Sequence, residues 1–270
     1  MKAEARPLYV LDLVAMKAAG RRIVMLTCYD AAFARLLEQA DVDVLLVGDS
    51  LNQVLAGHET TLSTTLDQMI YHAAAVRRGS RRTLVFVDLP FLTYQVSIPD
   101  AIRNAGRVLQ ESGAHGVKLE GGSHMAETVG ALVERGIPVI GHLGLTPQSV
   151  HALGGYRVQG RDENAAERLL SDAKALEAAG ACAIVLELIP AAVAARISQS
   201  LTIPTIGIGA GPQCDGQVLV LHDMLGLNEQ FAPKFLKHYA KLGEVVRSAV
   251  RSFATEVREG KYPGKEHSFE

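Results

Sequence analysis

Short apolar runs recur along the chain and alternate with longer amphipathic segments. Each run is rich in β-branched residues or leucine and lies beside Gly, Asp, Glu or Pro, which is typical of buried β-strands. The pattern predicts eight strands: Ile23–Leu26, Val44–Val47, Leu84–Val87, Gly116–Leu119, Pro138–Ile140, Ala183–Leu186, Thr205–Ile208 and Val218–Leu221.

The segments between most of these runs have apolar residues at the i, i+3, i+4 spacing of a helix. The predicted helices include Ala31–Ala40, Leu66–Arg78, Ala101–Ser112, Met125–Arg135 and Ala165–Ala179. A further predicted helix, Leu8–Ala19, precedes the first strand, and a long amphipathic segment from Pro233 to about Glu259 closes the sequence.

Eight strands that alternate with helices indicate an α/β fold in which helices cover a parallel sheet. With 270 residues, closure into a single (β/α)8 TIM barrel is favoured over an open doubly wound sheet. No repeat, low-complexity tract or linker divides the sequence, so we expect residues 1–270 to form one domain. The segment from Gly48 to about Thr65 is long for a strand-to-helix connection, and we interpret it as either an active-site loop or a mobile lid.

Composition narrows the function classes. The formal net charge is −2 and tryptophan is absent, which argues against nucleic acid or an anionic membrane as partner. Cys28, Cys182 and Cys214 are scattered and form no CxxC or Cys/His pattern, which argues against a structural zinc site and a disulfide framework. No apolar run approaches the ~18 residues of a membrane helix, so we expect a cytoplasmic protein.

Polar residues stand at the ends of several predicted strands. In a barrel, the carboxyl ends of all strands meet at the face where active sites lie. Burying charged groups there is costly unless they pair or hold a cation. Four carboxylates, one lysine and one histidine are therefore expected to converge on a site: Asp49, Asp88, Lys118, Glu120, His142 and Glu187.

Two aspartates, a glutamate and a lysine are candidates for binding a cation and an anion. Oxygen ligands without a cysteine or a set of histidines favour Mg²⁺, with Asp49 and Asp88 as direct ligands and Glu120 nearby or reached through a water. Lys118 suits an anionic substrate, a carboxylate or a phosphate. Structural interpretations are also open. Either aspartate can cap a helix, and Lys118 and Glu120, which share one face of a strand, can form an internal ion pair or point outward.

Three further features have two interpretations each. Glu187, at the end of an apolar strand, suits a general base or a structural carboxylate that accepts backbone hydrogen bonds. His142 is a site residue or a packing residue. The turn Gly207–Gly211 either cradles an anion with backbone N–H groups, as in barrel phosphate sites, or needs glycine for tight backbone geometry.

Nine stretches, taken in order, carry a resemblance to a known family. They are Thr27–Asp30, Leu46–Leu51, Tyr71–Gly79, Asp88–Phe91, Val117–Gly122, Gly141–Ser149, Gly154–Gly160, Gly207–Gly211 and Tyr262–Phe269. In these stretches the chain resembles the ketopantoate hydroxymethyltransferases. The resemblance covers nearly the whole sequence from about Tyr9, and several of the motifs are eight or nine residues long.

The resemblance implies a (β/α)8 barrel that uses Mg²⁺ and assembles as a homodecamer. It implies transfer of a hydroxymethyl group from 5,10-methylenetetrahydrofolate to 3-methyl-2-oxobutanoate, giving 2-dehydropantoate, through an enolate that the metal stabilises. By motif position it also implies site roles. Asp49, Asp88 and Glu120 correspond to the metal site, Asp49, Ser50, Asp88, Lys118 and His142 to the oxo-acid site, and Glu187 to the proton acceptor.

The sequence departs from the family pattern in the loop after the second strand. Asn52 stands where glycine is common, and Ser63 where proline is common. The main competing interpretation is a lyase or mutase of the phosphoenolpyruvate mutase and isocitrate lyase type, which also binds a 2-oxo acid through Mg²⁺. Those enzymes carry a reactive Cys or Asn on a gating loop, and Gly121–His124 has neither. A barrel that only senses a ligand is a third interpretation, and the presence of all four carboxylates argues against it.

Overall fold

Eight parallel strands close into a barrel in the computed structural model of the chain, which describes residues 6–269. Each strand pairs with the next, and β8 returns to β1, so that Met25 lies opposite both Val44 and Val218. The predicted (β/α)8 TIM barrel is confirmed. The strands are β1 (Ile23–Thr27), β2 (Val44–Val47), β3 (Leu84–Asp88), β4 (Gly116–Glu120), β5 (Val139–Gly144), β6 (Ala183–Glu187), β7 (Thr205–Ile208) and β8 (Gly216–Leu219).

Several helices begin at a residue whose side chain accepts hydrogen bonds from free N–H groups of the first turn. The Asp30 carboxylate accepts hydrogen bonds from two backbone N–H groups of the second helix, and Thr65 and Ser97 cap the fourth and fifth helices. The helices are α1 (Val10–Ala18), α2 (Ala31–Gln39), α3 (Leu51–Val54), α4 (Leu66–Gly79), α5 (Ile98–Ser112), α6 (Ala126–Val133), α7 (Glu163–Ala178), α8 (Ala191–Ser200), α9 (Leu221–Met224) and α10 (Leu242–Arg258). Of these, α3, α8 and α9 are additional to the predicted helices.

Apolar side chains fill the barrel below the strand ends. The cluster includes Met25, Phe86, Ile140 and Ile206 from the strands and Leu13 from α1, all of them at most 1% exposed. Burial of such apolar side chains is the main stabilising contribution to the folded state. The acidic side chains Asp88, Glu120 and Glu187 are instead the last residues of β3, β4 and β6.

The chain divides after Leu219 into two compact units. The first contains the whole barrel, and the second contains α9 and α10. The amphipathic segment predicted from Pro233 to about Glu259 is an α-helix only from Leu242, because the backbone N–H groups of Tyr239 and Leu242 donate to the carbonyls of residues 224 and 225 and hold the segment before α10 in an irregular conformation. The prediction of a single domain over residues 1–270 stays a prediction.

Strand bounds differ most from the prediction at β5 and β8, whereas β1, β3, β4 and β6 each end one residue later than predicted. The eighth strand begins at Gly216, because a Cβ atom at this position would collide with the carbonyl of Ile23 on β1. Glycine at this position permits the close approach of two strands. The fifth strand extends to Gly144 and therefore includes His142.

None of the helices within residues 6–269 is long and apolar enough to cross a membrane.

The segment between β2 and α4 is hydrogen-bonded within itself. It contains α3, and the buried Asn52 donates from Nδ2 to the carbonyl of Thr60 at 2.7 Å and to Ser63 Oγ at 2.9 Å. The Thr64 hydroxyl donates to the carbonyl of Thr61 at 2.8 Å. Asn52 and Ser63, the two departures from the family pattern, therefore contact each other.

Candidate active site

The predicted polar residues lie together at the carboxyl ends of β2 to β6. Strand register pairs Asp88 of β3 with Lys118 of β4, and Glu120 of β4 with His142 of β5. All four side chains are buried. The alternative prediction that Lys118 and Glu120 point outward is therefore wrong. Both side chains lie inside the barrel, at the carboxyl end of its strands.

Lys118 is the buried cation of this cluster. Its Nζ lies 3.0 Å from Asp88 Oδ1 and 3.1 Å from His142 Nδ1. Burial alone lowers the pKa of this ammonium group, but the carboxylates of Asp88, Glu120 and Asp49 outweigh that effect, and the pKa is raised. Lys118 is therefore charged at neutral pH.

The two aspartates are joined through the backbone. The N–H of Asp49 donates to Asp88 Oδ2 at 3.0 Å. Burial, together with the charges of Asp88 and Glu120, raises the pKa of Asp49 well above its ordinary value.

Neither aspartate caps a helix: the N-cap residues of α3 and α5 are Ser50 and Ser97. The helix-capping interpretation of Asp49 and Asp88 is therefore wrong.

Glu120 is a buried carboxyl with a strongly shifted proton affinity. Burial raises its pKa to about 7, against the lowering effect of Lys118 and with a further increase from Asp88. Its Oε2 accepts a hydrogen bond from the backbone N–H of Gln148 at 3.0 Å, and its Oε1 lies 3.4 Å from His142 Nδ1.

His142 connects the cluster to Glu187. Burial, with the neighbouring Lys118, lowers the pKa of His142 and outweighs the opposing effect of Glu187, so the ring is neutral at pH 7. Because the Lys118 ammonium can only donate, we assign Nδ1 as acceptor and place the ring proton on Nε2. This nitrogen lies 3.2 Å from Glu187 Oε2, and Glu187 is the last residue of β6.

Ser50 lies at the same end of the barrel. Its Oγ is 2.9 Å from the hydroxyl of the buried Tyr29. A Cβ atom at Gly48 would lie 2.8 Å from Ser50 Oγ and 3.5 Å from Asp88 Oδ2. Glycine at position 48 therefore allows the chain to bring these side chains close together.

Three site residues were missed in the sequence. Gln148 Nε2 donates to Asp49 Oδ2 at 2.9 Å, and its Oε1 accepts from the Tyr94 hydroxyl at 2.8 Å. Tyr156 accepts a hydrogen bond from Gln53 at 3.1 Å; burial, with the nearby Glu187 and Asp49 carboxylates, raises its pKa. All three residues lie outside the strands and α-helices, and Gln148 and Tyr156 fall within motifs that carry the resemblance. That motif position is the signal that could have identified them.

The glycine-rich turn after β7 has strict backbone requirements. Gly209 and Gly211 have φ values of 63° and 81°, in the left-handed region, and a Cβ atom at Gly211 would collide with Ala191. These requirements account for both glycines. A role in binding an anion stays a prediction.

The charge and chemistry of the cluster fit a hard divalent cation. Carboxylates outnumber the one lysine, and Asp88 Oδ1 is buried with no hydrogen bond from the described residues, its contact being the ion pair with Lys118. Within residues 6–269, no three His, Cys, Asp or Glu side chains are grouped as a preformed metal site. Mg²⁺ usually takes only one or two protein carboxylates, and waters and substrate oxygens complete its coordination. Asp49 and Asp88 meet that requirement.

Comparison with known proteins identifies the family of the chain. The family profile described as ketopantoate hydroxymethyltransferase matches residues 8–265. The chain belongs to this family. It is 58% identical over 261 residues to 3-methyl-2-oxobutanoate hydroxymethyltransferase of Magnetococcus marinus, with 97% of each chain covered. Identity to the enzyme of the same name from Pelobacter propionicus is 55%, with 96% of each chain covered. The chain is accordingly an enzyme of the hydroxymethyltransferase class.

Solved structures of other enzymes share its fold. Phosphonopyruvate hydrolase in complex with oxalate and Mg²⁺ aligns with a TM-score of 0.61 at 14% identity, covering 96% of this chain and 92% of the hydrolase. A 2,3-dimethylmalate lyase of the phosphoenolpyruvate mutase/isocitrate lyase superfamily aligns at 0.59 with 18% identity, covering 96% of this chain and 91% of the lyase. At such identities the likeness concerns the barrel alone.

Proposed function

We propose that this enzyme transfers a hydroxymethyl group from 5,10-methylenetetrahydrofolate to 3-methyl-2-oxobutanoate, forming 2-dehydropantoate in the first step of pantothenate biosynthesis. The proposal depends chiefly on the cluster of Lys118, His142 and Glu187. Lys118 Nζ lies 3.1 Å from His142 Nδ1, and His142 Nε2 lies 3.2 Å from Glu187 Oε2. This cluster brings a cation that can bind an anion and a carboxylate that can act as a base into one largely buried site. Family membership supports the identity of the substrates.

A divalent metal, Mg²⁺, is part of the proposal. Asp49 and Asp88 would hold it, with Glu120 within the same cluster, because these are the oxygen donors of the strand ends. When bound, Mg²⁺ acts as a Lewis acid that polarises the oxo acid and makes its C3 proton more acidic. The excess of carboxylates over lysine at this end of the barrel supports a cation here.

Substrate recognition and proton transfer are assigned to the chain's own side chains. Lys118 and Ser50 would bind the carboxylate of the oxo acid. Glu187 would remove the proton from C3, and its Oε2 lies 3.2 Å from Nε2 of the buried, neutral His142. The buried position of the lysine and the histidine keeps water from competing for these contacts.

The transfer itself joins two carbon atoms. Carbon C3 of the oxo acid, having lost its proton to Glu187, attacks the methylene carbon of the folate, which opens to its iminium form. A C–C bond forms, and water then replaces the remaining C–N bond to folate. The products are 2-dehydropantoate and tetrahydrofolate, so one water is consumed and no external oxidant or reductant is required.

We also propose that the enzyme acts in the cytoplasm and assembles as a homo-oligomer, a homodecamer by family resemblance. Its three cysteines are free, which is usual in a reducing compartment. Five apolar side chains of α10 are between 46% and 59% exposed, which favours a contact with another subunit. They are Val245, Val246, Val250, Phe253 and Val257.

A turnover assay tests the proposed function. Purified protein is incubated with 3-methyl-2-oxobutanoate and 5,10-methylenetetrahydrofolate, with Mg²⁺ or with a chelator, and the product is identified by mass spectrometry. We expect 2-dehydropantoate only when both substrates and the metal are present. Cleavage of phosphonopyruvate or of a 2-alkylmalate without folate would instead support a lyase or mutase. Binding of the oxo acid without turnover would support a ligand sensor.

A further inference from the structure

Gln148 is a buried side chain to which neither the chemistry above nor the sequence pattern assigns a role. It lies in a single 3-10 turn, Pro147–Ser149, in the segment that follows β5, and is 6% exposed. A neutral amide buried among carboxylates must have its donors and acceptors paired, since each unpaired group costs free energy. The partners of this amide therefore define what it does.

The donor atoms of Gln148 hold two of the carboxylates. Its Nε2 donates to Asp49 Oδ2 and to the carbonyl of Leu89, both at 2.9 Å, and its backbone N–H donates to Glu120 Oε2 at 3.0 Å. One residue thus fixes an oxygen of Asp49, after β2, and an oxygen of Glu120, at the end of β4. Asp49 Oδ1 and Glu120 Oε1 receive no hydrogen bond from Gln148.

The acceptor atom of Gln148 fixes which way the amide faces. Its Oε1 accepts from the Tyr94 hydroxyl at 2.8 Å and from Gln95 Nε2 at 3.1 Å, and the Tyr94 oxygen in turn accepts from the backbone N–H of Glu120 at 3.1 Å. Turning the amide over would place its oxygen against the Asp49 carboxylate and the Leu89 carbonyl. Because two acceptors repel each other, only the orientation with Nε2 toward Asp49 satisfies all partners.

We infer that Gln148 is a positioning residue for the carboxylates of the candidate metal site, oriented by Tyr94. It holds Asp49 and Glu120 in one arrangement before the metal arrives, so that less ordering is required when the metal binds. The inference rests on the proposed function, because it takes Asp49 as a ligand of Mg²⁺. Groups that orient metal ligands in this way typically account for 10- to 100-fold in metal affinity.

The experiment measures metal binding rather than turnover. Binding of Mg²⁺ in the presence of 3-methyl-2-oxobutanoate, without folate, is followed by titration calorimetry for wild type, Gln148→Met, Tyr94→Phe and Gln95→Met. Gln148→Met keeps the length and the neutral charge of the side chain and removes only the amide. Gln95→Met is the matched control, since the exposed Gln95 donates a hydrogen bond to the same amide oxygen and not to a carboxylate.

We expect Gln148→Met to bind Mg²⁺ at least about tenfold more weakly. Tyr94→Phe should lose about fivefold, the size of one neutral hydrogen bond, and Gln95→Met should stay within twofold of wild type. Thermal unfolding in chelator verifies that each variant folds. A Mg²⁺ affinity of folded Gln148→Met within twofold of wild type overturns the inference. If Gln148→Met does not fold, an unchanged Mg²⁺ affinity of Tyr94→Phe overturns it. Failure of the wild type to bind Mg²⁺ would instead count against the proposed function.

Discussion

Replacing Glu120 with glutamine should make the metal-free protein more stable, and increasingly so as the pH rises. The pKa of Glu120 is raised to about 7 by burial, with Lys118 opposing and Asp88 adding to the shift. The folded chain therefore holds this proton more tightly than the unfolded chain does. Between about pH 4.5 and 7 the unfolded chain has lost the proton and the folded chain has kept it. The free energy of unfolding consequently falls over this interval and is constant above it.

The structure sets the size of the effect. The pKa rises from 4.5 to about 7, and at about 1.4 kcal/mol per pKa unit the shift corresponds to an upper limit of about 3 kcal/mol. Glutamine has the same size, keeps an oxygen that accepts from the Gln148 N–H, and carries no charge at any pH. Glu120→Gln should therefore gain up to about 3 kcal/mol over wild type between pH 5 and pH 8.

Urea unfolding in the presence of a chelator measures this difference. Both proteins are unfolded at several pH values from 5 to 8, and only the change in their stability difference with pH is interpreted, because any packing cost of glutamine is the same at every pH. Glu134→Gln, on the exposed end of α6, is the matched control and should show no such change. A stability difference between Glu120→Gln and wild type that is equal at pH 5 and pH 8 would show that folding does not raise the pKa of Glu120.

Two further predictions concern the metal site and the loop beside it. Asp88→Asn should stay folded and lose metal-dependent binding of 3-methyl-2-oxobutanoate by at least about 100-fold, because it removes a proposed direct ligand of the metal; wild-type affinity in a metal titration would exclude Asp88 as a ligand. Asn52→Ala and Ser63→Ala should be coupled by about 1 kcal/mol, the contribution of the hydrogen bond between them. A double-mutant cycle by chemical unfolding in which the two effects add within about 0.3 kcal/mol would show that this bond does not stabilise the loop.

Much of the fold and part of the site could be predicted because both follow from local patterns. Buried parallel strands have apolar sequences that differ from those of helices, and barrel closure then brings Asp88, Lys118 and Glu120 to one end without any knowledge of contacts. Their burial and register confirm that step. The catalytic, substrate and metal roles of these residues stay predictions.

What could not be predicted depends on contacts between distant parts of the chain. Gln148 meets Asp49 across 99 positions of sequence and Tyr94 across 54, and no spacing rule indicates where a loop side chain will point. Gly216 begins β8 because Ile23 of the neighbouring strand leaves no room for a Cβ atom. The start of α10 is likewise set by hydrogen bonds to residues 224–226. In each case a tertiary contact overrides the local signal.

Glu187 is proposed to remove the C3 proton of the oxo acid, and isotope exchange tests this role without the folate step. With Mg²⁺ in D₂O and no folate, the wild-type enzyme should exchange the C3 proton of 3-methyl-2-oxobutanoate, which NMR follows as loss of its signal. Glu187→Gln keeps the size of the side chain near His142 but cannot accept the proton, so exchange should fall by about 10²- to 10⁴-fold, together with turnover. The surface variant Glu134→Gln should exchange at the wild-type rate. Exchange at the wild-type rate in Glu187→Gln would exclude Glu187 as the base and assign that role to another group.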